Sequence, residues 1–323
     1  MRLKTGAALA DYLFVMRPTL FFPVWTVFLA GYLNAALGAN QWGTVDTLVT
    51  AKILWSRHLI SIGFLLTLLC GGIFILNQIQ DITTDKENNK LFIIANNYLS
   101  RRTAYIEAIS LVFIALIGSA FTSTRQTVLF VLLFLLSGWA YSFPPLLWKD
   151  KPFAGLMTNA LTGYLIFTSG WCLVKPFSAE AGYSALAYIL AIAAIYLYTT
   201  VPDRQGDYKA GKMTFSVKYG LPQTTRLALI LGFCAIGCTI WVGDWRMFLA
   251  TAFSIPFFIK VHFSQKMSDL SLATKLPILF LALTICWKIP YYMGLILLVF
   301  YGSKWYYKVR FNLNYPVFSE RNE

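Results

Sequence analysis

The sequence predicts an all-α, polytopic membrane protein of about nine spans, and three observations predict it. Of its 323 residues, 58% are hydrophobic and only 13% are charged, and the mean hydropathy is +0.61. A soluble globular chain carries about 45–50% apolar and about 25% charged residues. Apolar stretches as long as a bilayer core is thick recur along the chain, and its lysines and arginines gather on alternate connections. This balance excludes an ordinary water-soluble enzyme, a disordered chain and a disulfide-stapled secreted module. The formal net charge is +13. In a soluble protein that excess would raise nucleic-acid binding. In a chain this apolar it marks loops beside anionic lipid, so membrane lipid is an expected partner and nucleic acid is not.

Taken in order, residues 1–18 place Asp11 and Arg17 where a signal peptide needs an unbroken apolar region. They read as an interfacial segment leading into the first span. Windows of about 19 residues place spans near 19–37, 59–77, 103–122, 128–147, 156–174, 185–201, 227–242, 247–262 and 276–301. The last holds Lys288-Ile289-Pro290 and either crosses once or breaks into two. Residues 303–323 read as a polar tail, and 1–323 as one domain.

With the amino terminus in the cytoplasm, seventeen Lys and Arg residues fall on that side. Only Lys52, Arg57, Arg125, Lys175 and Arg246 fall on the other. Nine spans leave Lys304, Lys308, Arg310 and Arg321 on the wrong side, an expected conflict unless the last stretch crosses twice. The five cysteines, Cys70, Cys172, Cys234, Cys238 and Cys286, all lie in apolar runs without CxxC spacing, so they read as packing residues. His58 and His262 have no partner at metal-ligand spacing and read as interfacial.

Acids are scarce, so their arrangement carries information. Asp81 and Asp85 stand four apart where the second span ends, with Asn77 four residues earlier, and on a helix the three share one stripe. Asp203 and Asp207 repeat the spacing at the end of the sixth span. An even number of spans separates the two pairs, so both reach the same membrane face. Carboxylates four apart repel unless a cation lies between them, and oxygen-only ligands suit Mg²⁺ bridging to phosphate oxygens. Two such pairs suit a diphosphate. Arg204, Lys209 and Lys212 lie beside the second pair, Lys86, Lys90, Arg101 and Arg102 follow the first, and AYSFPPLLWKDK adds Tyr141, Ser142 and Lys149. Such cations stabilise charge growing on a leaving group.

The run 77–85, N-Q-I-Q-D-I-T-T-D, resembles the N-x-x-x-D-x-x-x-D signature of UbiA-type intramembrane prenyltransferases. Asp203-Arg204-Gln205-Gly206-Asp207, followed by Gly211-Lys212, Thr214 and Tyr219-Gly220, is similar to their second aspartate motif. Arg17-Pro18 and Tyr141-Ser142-Phe143-Pro144-Pro145 match as well. The resemblance implies nine helices around a central cavity with the aspartates at its cytoplasmic mouth. It implies transfer of an isoprenyl chain from a diphosphate donor to a hydrophobic aromatic or lipid acceptor, with Mg²⁺ as cofactor. Carried over, Asn77, Asp81, Asp85, Asp203 and Asp207 would bind the magnesium diphosphate, and Lys149, Arg204, Lys212 and Arg17 would contact the diphosphate. Tyr141 would support the nascent allyl cation or the metal site. Many members follow the first motif with Asn-x-x-x-Arg-Pro, where this chain has Asn88-Asn89-Lys90-Leu91-Phe92, so an expected arginine is missing.

The rival class is a polytopic transporter or a lipid-binding protein without transferase activity. A transporter carries ionisable groups at mid-membrane depth or paired broken helices. Only Lys288 beside Pro290 approaches that.

Overall fold

The computed structural model describes residues 8–38, 56–87 and 93–316. Arg2, Lys4, Lys52, Arg321 and the departure at Asn88-Asn89-Lys90-Leu91-Phe92 lie outside the described residues. Among the described residues every element is helical. In chain order these are α1 (Leu9–Val15), a 3₁₀ turn (Pro18–Leu20), α2 (Phe21–Leu37), α3 (Arg57–Gln80), α4 (Ile82–Glu87), α5 (Arg101–Thr122) and α6 (Thr124–Leu133). A π-helical turn (Phe134–Ala140) prolongs α6, and a 3₁₀ turn (Trp148–Asp150) follows. Then come α7 (Pro152–Trp171), α8 (Ala179–Thr199), α9 (Arg204–Lys209), α10 (Phe215–Val242), α11 (Trp245–Ser264), α12 (Met267–Lys288) and α13 (Pro290–Phe311).

Local chemistry sets many of these boundaries. Ser56, Ser100 and Asp244 cap α3, α5 and α11 by accepting the amides of Leu59, Thr103 and Met247. Proline occupies the first turn of α7 and α13, where its missing N–H costs nothing. α10 ends at Gly243, whose φ of 75° suits a residue without a Cβ. Among the described residues, seven segments are long and apolar enough to cross a membrane: Leu9–Leu37, Arg57–Gln80, Arg101–Thr122, Ala179–Thr199, Phe215–Val242, Trp245–Ser264 and Met267–Lys288. The chain is an integral, multi-pass helical membrane protein. All five cysteines are free.

One open alternative closes and one expectation changes. The last apolar window is two helices, because Pro290 cannot continue α12 and Ile289 takes φ −124°, ψ 76° between them. α13 then runs past Ser303 to Phe311, so the polar tail begins later than expected. The far end of α13 packs on α1: Tyr306 donates to Asp11 at 2.6 Å, and Arg310 pairs with Asp11 at 3.0 Å. Lys304, Lys308 and Arg310 therefore belong to a helix whose end joins the elements that precede the first span.

Close packing joins α2 to α7 through reciprocal glycines. A methyl group on Gly31 would lie 1.9 Å from the Phe167 carbonyl oxygen, and one on Gly170 would lie 1.9 Å from that of Phe28. Both obstacles are backbone, so relief requires the helices to part. Gly170→Val is expected to cost at least about 1–3 kcal/mol and to lower the melting temperature in detergent by several degrees. Unchanged melting would contradict this contact. Beyond it, a buried polar network locks α2, α8 and α11. Asn34 donates to the Tyr188 hydroxyl at 3.0 Å, Tyr188 donates to Asp244 at 2.7 Å, and Arg246 donates to Asn34 at 3.2 Å and to the Gly38 carbonyl at 2.8 Å. This lock forms where α2 ends and α11 begins, opposite the aspartate pairs that follow α3 and α8.

Candidate active site

The first aspartate motif begins on the last turn of α3 and crosses a helix break at Asp81, which takes φ −98°, ψ 8°. The helical register survives the break. The Asp81 amide donates to the Asn77 carbonyl at 3.0 Å and the Asp85 amide to the Asp81 carbonyl at 2.8 Å. Asn77, Asp81 and Asp85 thus keep the spacing of one stripe. In the second motif the Asp207 amide donates to the Asp203 carbonyl, also at 2.8 Å. The short helices α4 and α9 that carry the two motifs touch each other.

Between the motifs stand two lysines. Lys149, from the 3₁₀ turn, and Lys212, after α9, both reach Oδ1 of Asp81 at 2.7 Å. Their side chains are 8% and 15% exposed and that of Asp81 is 17% exposed, so these pairs form largely out of water. Burial alone would raise the Asp81 carboxyl, but the two ammonium groups overcome it and hold the group below its ordinary value. For Lys212 the balance runs the same way: burial opposes its charge, Asp81 outweighs burial, and the ammonium is held above its usual range.

Asp207 has a different environment. Burial pushes its carboxyl up to about 6; Lys212 and the Thr214 hydroxyl, which donates to it at 3.3 Å, work against that rise, while Asp203 and Asp81 add to it. The Lys212 amide donates to the Asp207 carbonyl at 2.9 Å, and the Met213 amide donates to the Asp150 carbonyl at 3.1 Å. These bonds tie the second motif to the turn that carries Lys149.

Asn77 donates to the Ser142 hydroxyl at 3.2 Å, leaving its carbonyl oxygen as the ligand-type atom. Tyr141 is in hydrogen-bonding contact with Asn159 and Tyr196, and Asp81 and Lys212 are its charged neighbours. Arg204 is exposed and points to no described partner. Arg17 takes a left-handed backbone (φ 56°) ahead of the 3₁₀ turn and lies beside Tyr307 of α13. The structure therefore gathers Asn77, Asp81, Asp85, Tyr141, Lys149, Asp203, Asp207 and Lys212 at one end of the bundle. Arg204 stays at the surface.

Two residues here were not singled out by motif reading. Asp150 lies 3.9 Å from Lys212, its buried Oδ1 lacks a hydrogen-bond donor, and burial holds its carboxyl above the ordinary range. Tyr196 of α8 reaches Tyr141 and has Asp207 and Asp150 as electrostatic neighbours. The adjacency of Asp150 to Lys149 was a usable signal for the first. Nothing local marked the second.

The residues fit Mg²⁺ of one kind. Among the described residues no three of His, Cys, Asp and Glu converge as a closed cage. Paired carboxylates would instead supply a ligand or two each and leave the rest to water and phosphate oxygens, which is how Mg²⁺ is usually held.

A model of the UbiA prenyltransferase family matches residues 23–284. The bacteriochlorophyll synthase 34 kDa chain of Chloroflexus aurantiacus is 26% identical over 220 residues, 67% of this chain and 66% of that protein. The chloroplastic homogentisate solanesyltransferase of Arabidopsis thaliana is 30% identical over 182 residues, 53% of this chain and 47% of that one. The matches thus span about two thirds and about half of these relatives' lengths. Among solved structures, a UbiA homolog from Archaeoglobus fulgidus superposes with a TM-score of 0.64 at 18% identity, covering 88% of this chain and 99% of that one. The same homolog bound to DMAPP and Mg²⁺ gives 0.63 at 17% identity, covering 87% and 99%.

Proposed function

Since this chain belongs to the UbiA prenyltransferase family, we propose that it transfers an isoprenyl chain from a prenyl diphosphate to a hydrophobic aromatic or lipid acceptor. The observation that carries this reading is the meeting of the two aspartate helices around Lys149 and Lys212 at one end of an apolar bundle.

In this reading Asn77, Asp81, Asp85, Asp203 and Asp207 hold the donor diphosphate through Mg²⁺. When bound, Mg²⁺ draws negative charge from the diphosphate and so favours its departure. Lys149 and Lys212 bring two positive charges to the same place from a half-dry environment, where they are worth more than in water. The bond between the donor's first carbon and the diphosphate oxygen breaks, and its electron pair leaves with pyrophosphate. The acceptor's nucleophilic atom bonds to that carbon and then loses its proton. The face of Tyr141 supports the allylic cation between these events, an interaction worth about 0.5–2 kcal/mol. Its contacts with Asn159 and Tyr196 fix the ring. The transfer requires that water be kept from the cation, which the apolar side chains of the surrounding helices would do.

The aspartate end faces the cytoplasm in this proposal. The excess of Lys and Arg on the connections at that end supports it, and the α13 cations now add to the excess. The test is pyrophosphate release by purified protein given geranylgeranyl diphosphate, Mg²⁺ and a panel of acceptors that begins with homogentisate. Release that needs Mg²⁺ and one acceptor supports the reading. A protein that binds no prenyl diphosphate in the presence of Mg²⁺ overturns it.

A further inference from the structure

The family model's match ends at residue 284, before α13 begins, and α13 is bonded to α2 and α1 and packs on Tyr98, which follows the first aspartate motif in the chain. Its first turn is fixed on α2, where the Tyr292 hydroxyl donates to the Phe22 carbonyl at 3.1 Å and meets the Thr26 hydroxyl at 2.7 Å. Its last turns grip α1. Tyr306 donates to Oδ1 of the fully buried Asp11, Arg310 donates to both oxygens of the same carboxylate at 3.2 and 3.0 Å, and the Phe14 and Tyr306 rings stack with centroids 3.7 Å apart. A bidentate, buried pair of this kind fixes orientation as well as distance.

From α1 the connection continues directly. The Val15 carbonyl, one residue beyond Phe14, accepts the side-chain amide of buried Gln78 at 2.8 Å. Gln78 stands next to Asn77 and three residues before Asp81. On the outgoing side, the Arg310 guanidinium lies over the Tyr98 ring at 5.2 Å, and Phe311 packs on the same ring at 4.9 Å. Tyr98 lies on the segment that follows Asp85 and leads into α5. The second motif has separate supports in Thr214 and in the Met213–Asp150 bond.

We propose that α13 is a clasp that positions the first aspartate motif, with Arg310 as a positioning residue acting through Asp11, Val15 and Gln78. The inference rests on the prenyl-diphosphate reading of the aspartate site only for its kinetic consequence. Its structural consequence stands alone.

The test compares the full-length wild type with Arg310→Gln and with Gln78→Leu, which cuts the connection at its other end and serves if Arg310→Gln fails to fold. Amide hydrogen exchange in detergent, without ligand, reads the clasp directly. Expected is exchange about tenfold or more faster over residues 77–85 in both variants, with residues 203–209 within about twofold of wild type. In turnover assays the donor KM rises about fivefold or more while kcat stays within about twofold, a split that loss of folded protein does not produce. Unchanged exchange over 77–85, or equal acceleration in both motifs, overturns the clasp. A wild type that binds no prenyl diphosphate overturns the functional reading instead, and the exchange result still decides the clasp.

Discussion

Asp81→Asn is expected to reduce prenyl transfer at least about 10³-fold and, separately, to destabilise the metal-free protein. Both effects follow from one oxygen. Oδ1 of Asp81 is the shared partner of Lys149 and Lys212, so the substitution removes a proposed metal ligand and leaves two poorly solvated ammonium groups facing an uncharged amide. Breaking a buried pair costs about 3–5 kcal/mol, and the partial exposure of Asp81 puts this case at the lower end. Removing one stranded charge should therefore return stability without returning activity. Asp81→Asn combined with Lys212→Met is expected to melt above Asp81→Asn alone while remaining inactive. Calorimetry in detergent and pyrophosphate release check the two halves. Turnover within about tenfold of wild type in Asp81→Asn would remove Asp81 from the site.

The same carboxylate illustrates what a sequence can disclose. In a chain with 14 acids among 323 residues, two equally spaced pairs on one membrane face stand out, and the structure brings their helices into contact. The stripe of Asn77, Asp81 and Asp85 was legible because helical spacing survives the break at Asp81. What the pattern could not disclose is that Lys149 and Lys212, read as diphosphate contacts, both close on one oxygen of Asp81. That follows from packing three distant segments together. Tyr196 and Asp150 were hidden for the same reason. The division of the last apolar stretch was half legible. A window as long as a span stays apolar across Pro290, so only the short run Lys288-Ile289-Pro290 marked the break, and the bonds of Tyr292 to α2 and of Tyr306 and Arg310 to Asp11 reveal where the second half goes.

Asp207→Asn should affect stability in the opposite direction from Asp81→Asn, and the pair together tests the electrostatics of the site. Burial, with Asp203 and Asp81 alongside, holds the Asp207 carboxyl near about 6 against an unfolded value of about 4. Between those values the folded protein binds more protons than the unfolded chain, so this residue's contribution to stability falls as pH rises through the interval and is flat above it. At pH 7.5 the ionised carboxylate costs the metal-free protein up to about 3 kcal/mol, a burden that asparagine does not carry. In EDTA, Asp207→Asn is accordingly expected to melt above wild type at pH 7.5 and level with it near pH 4. With Mg²⁺ and a non-hydrolysable prenyl diphosphate the order should reverse, because ligand bound to the folded state stabilises only the protein that can hold it. Transfer should fall at least about 10²-fold, and Asp203→Ala should fall with it. An Asp207→Asn protein that melts below wild type in EDTA would mean that the buried carboxylate is already compensated. One that gains as much from Mg²⁺ and the analogue as wild type does would mean that the second motif does not hold the diphosphate.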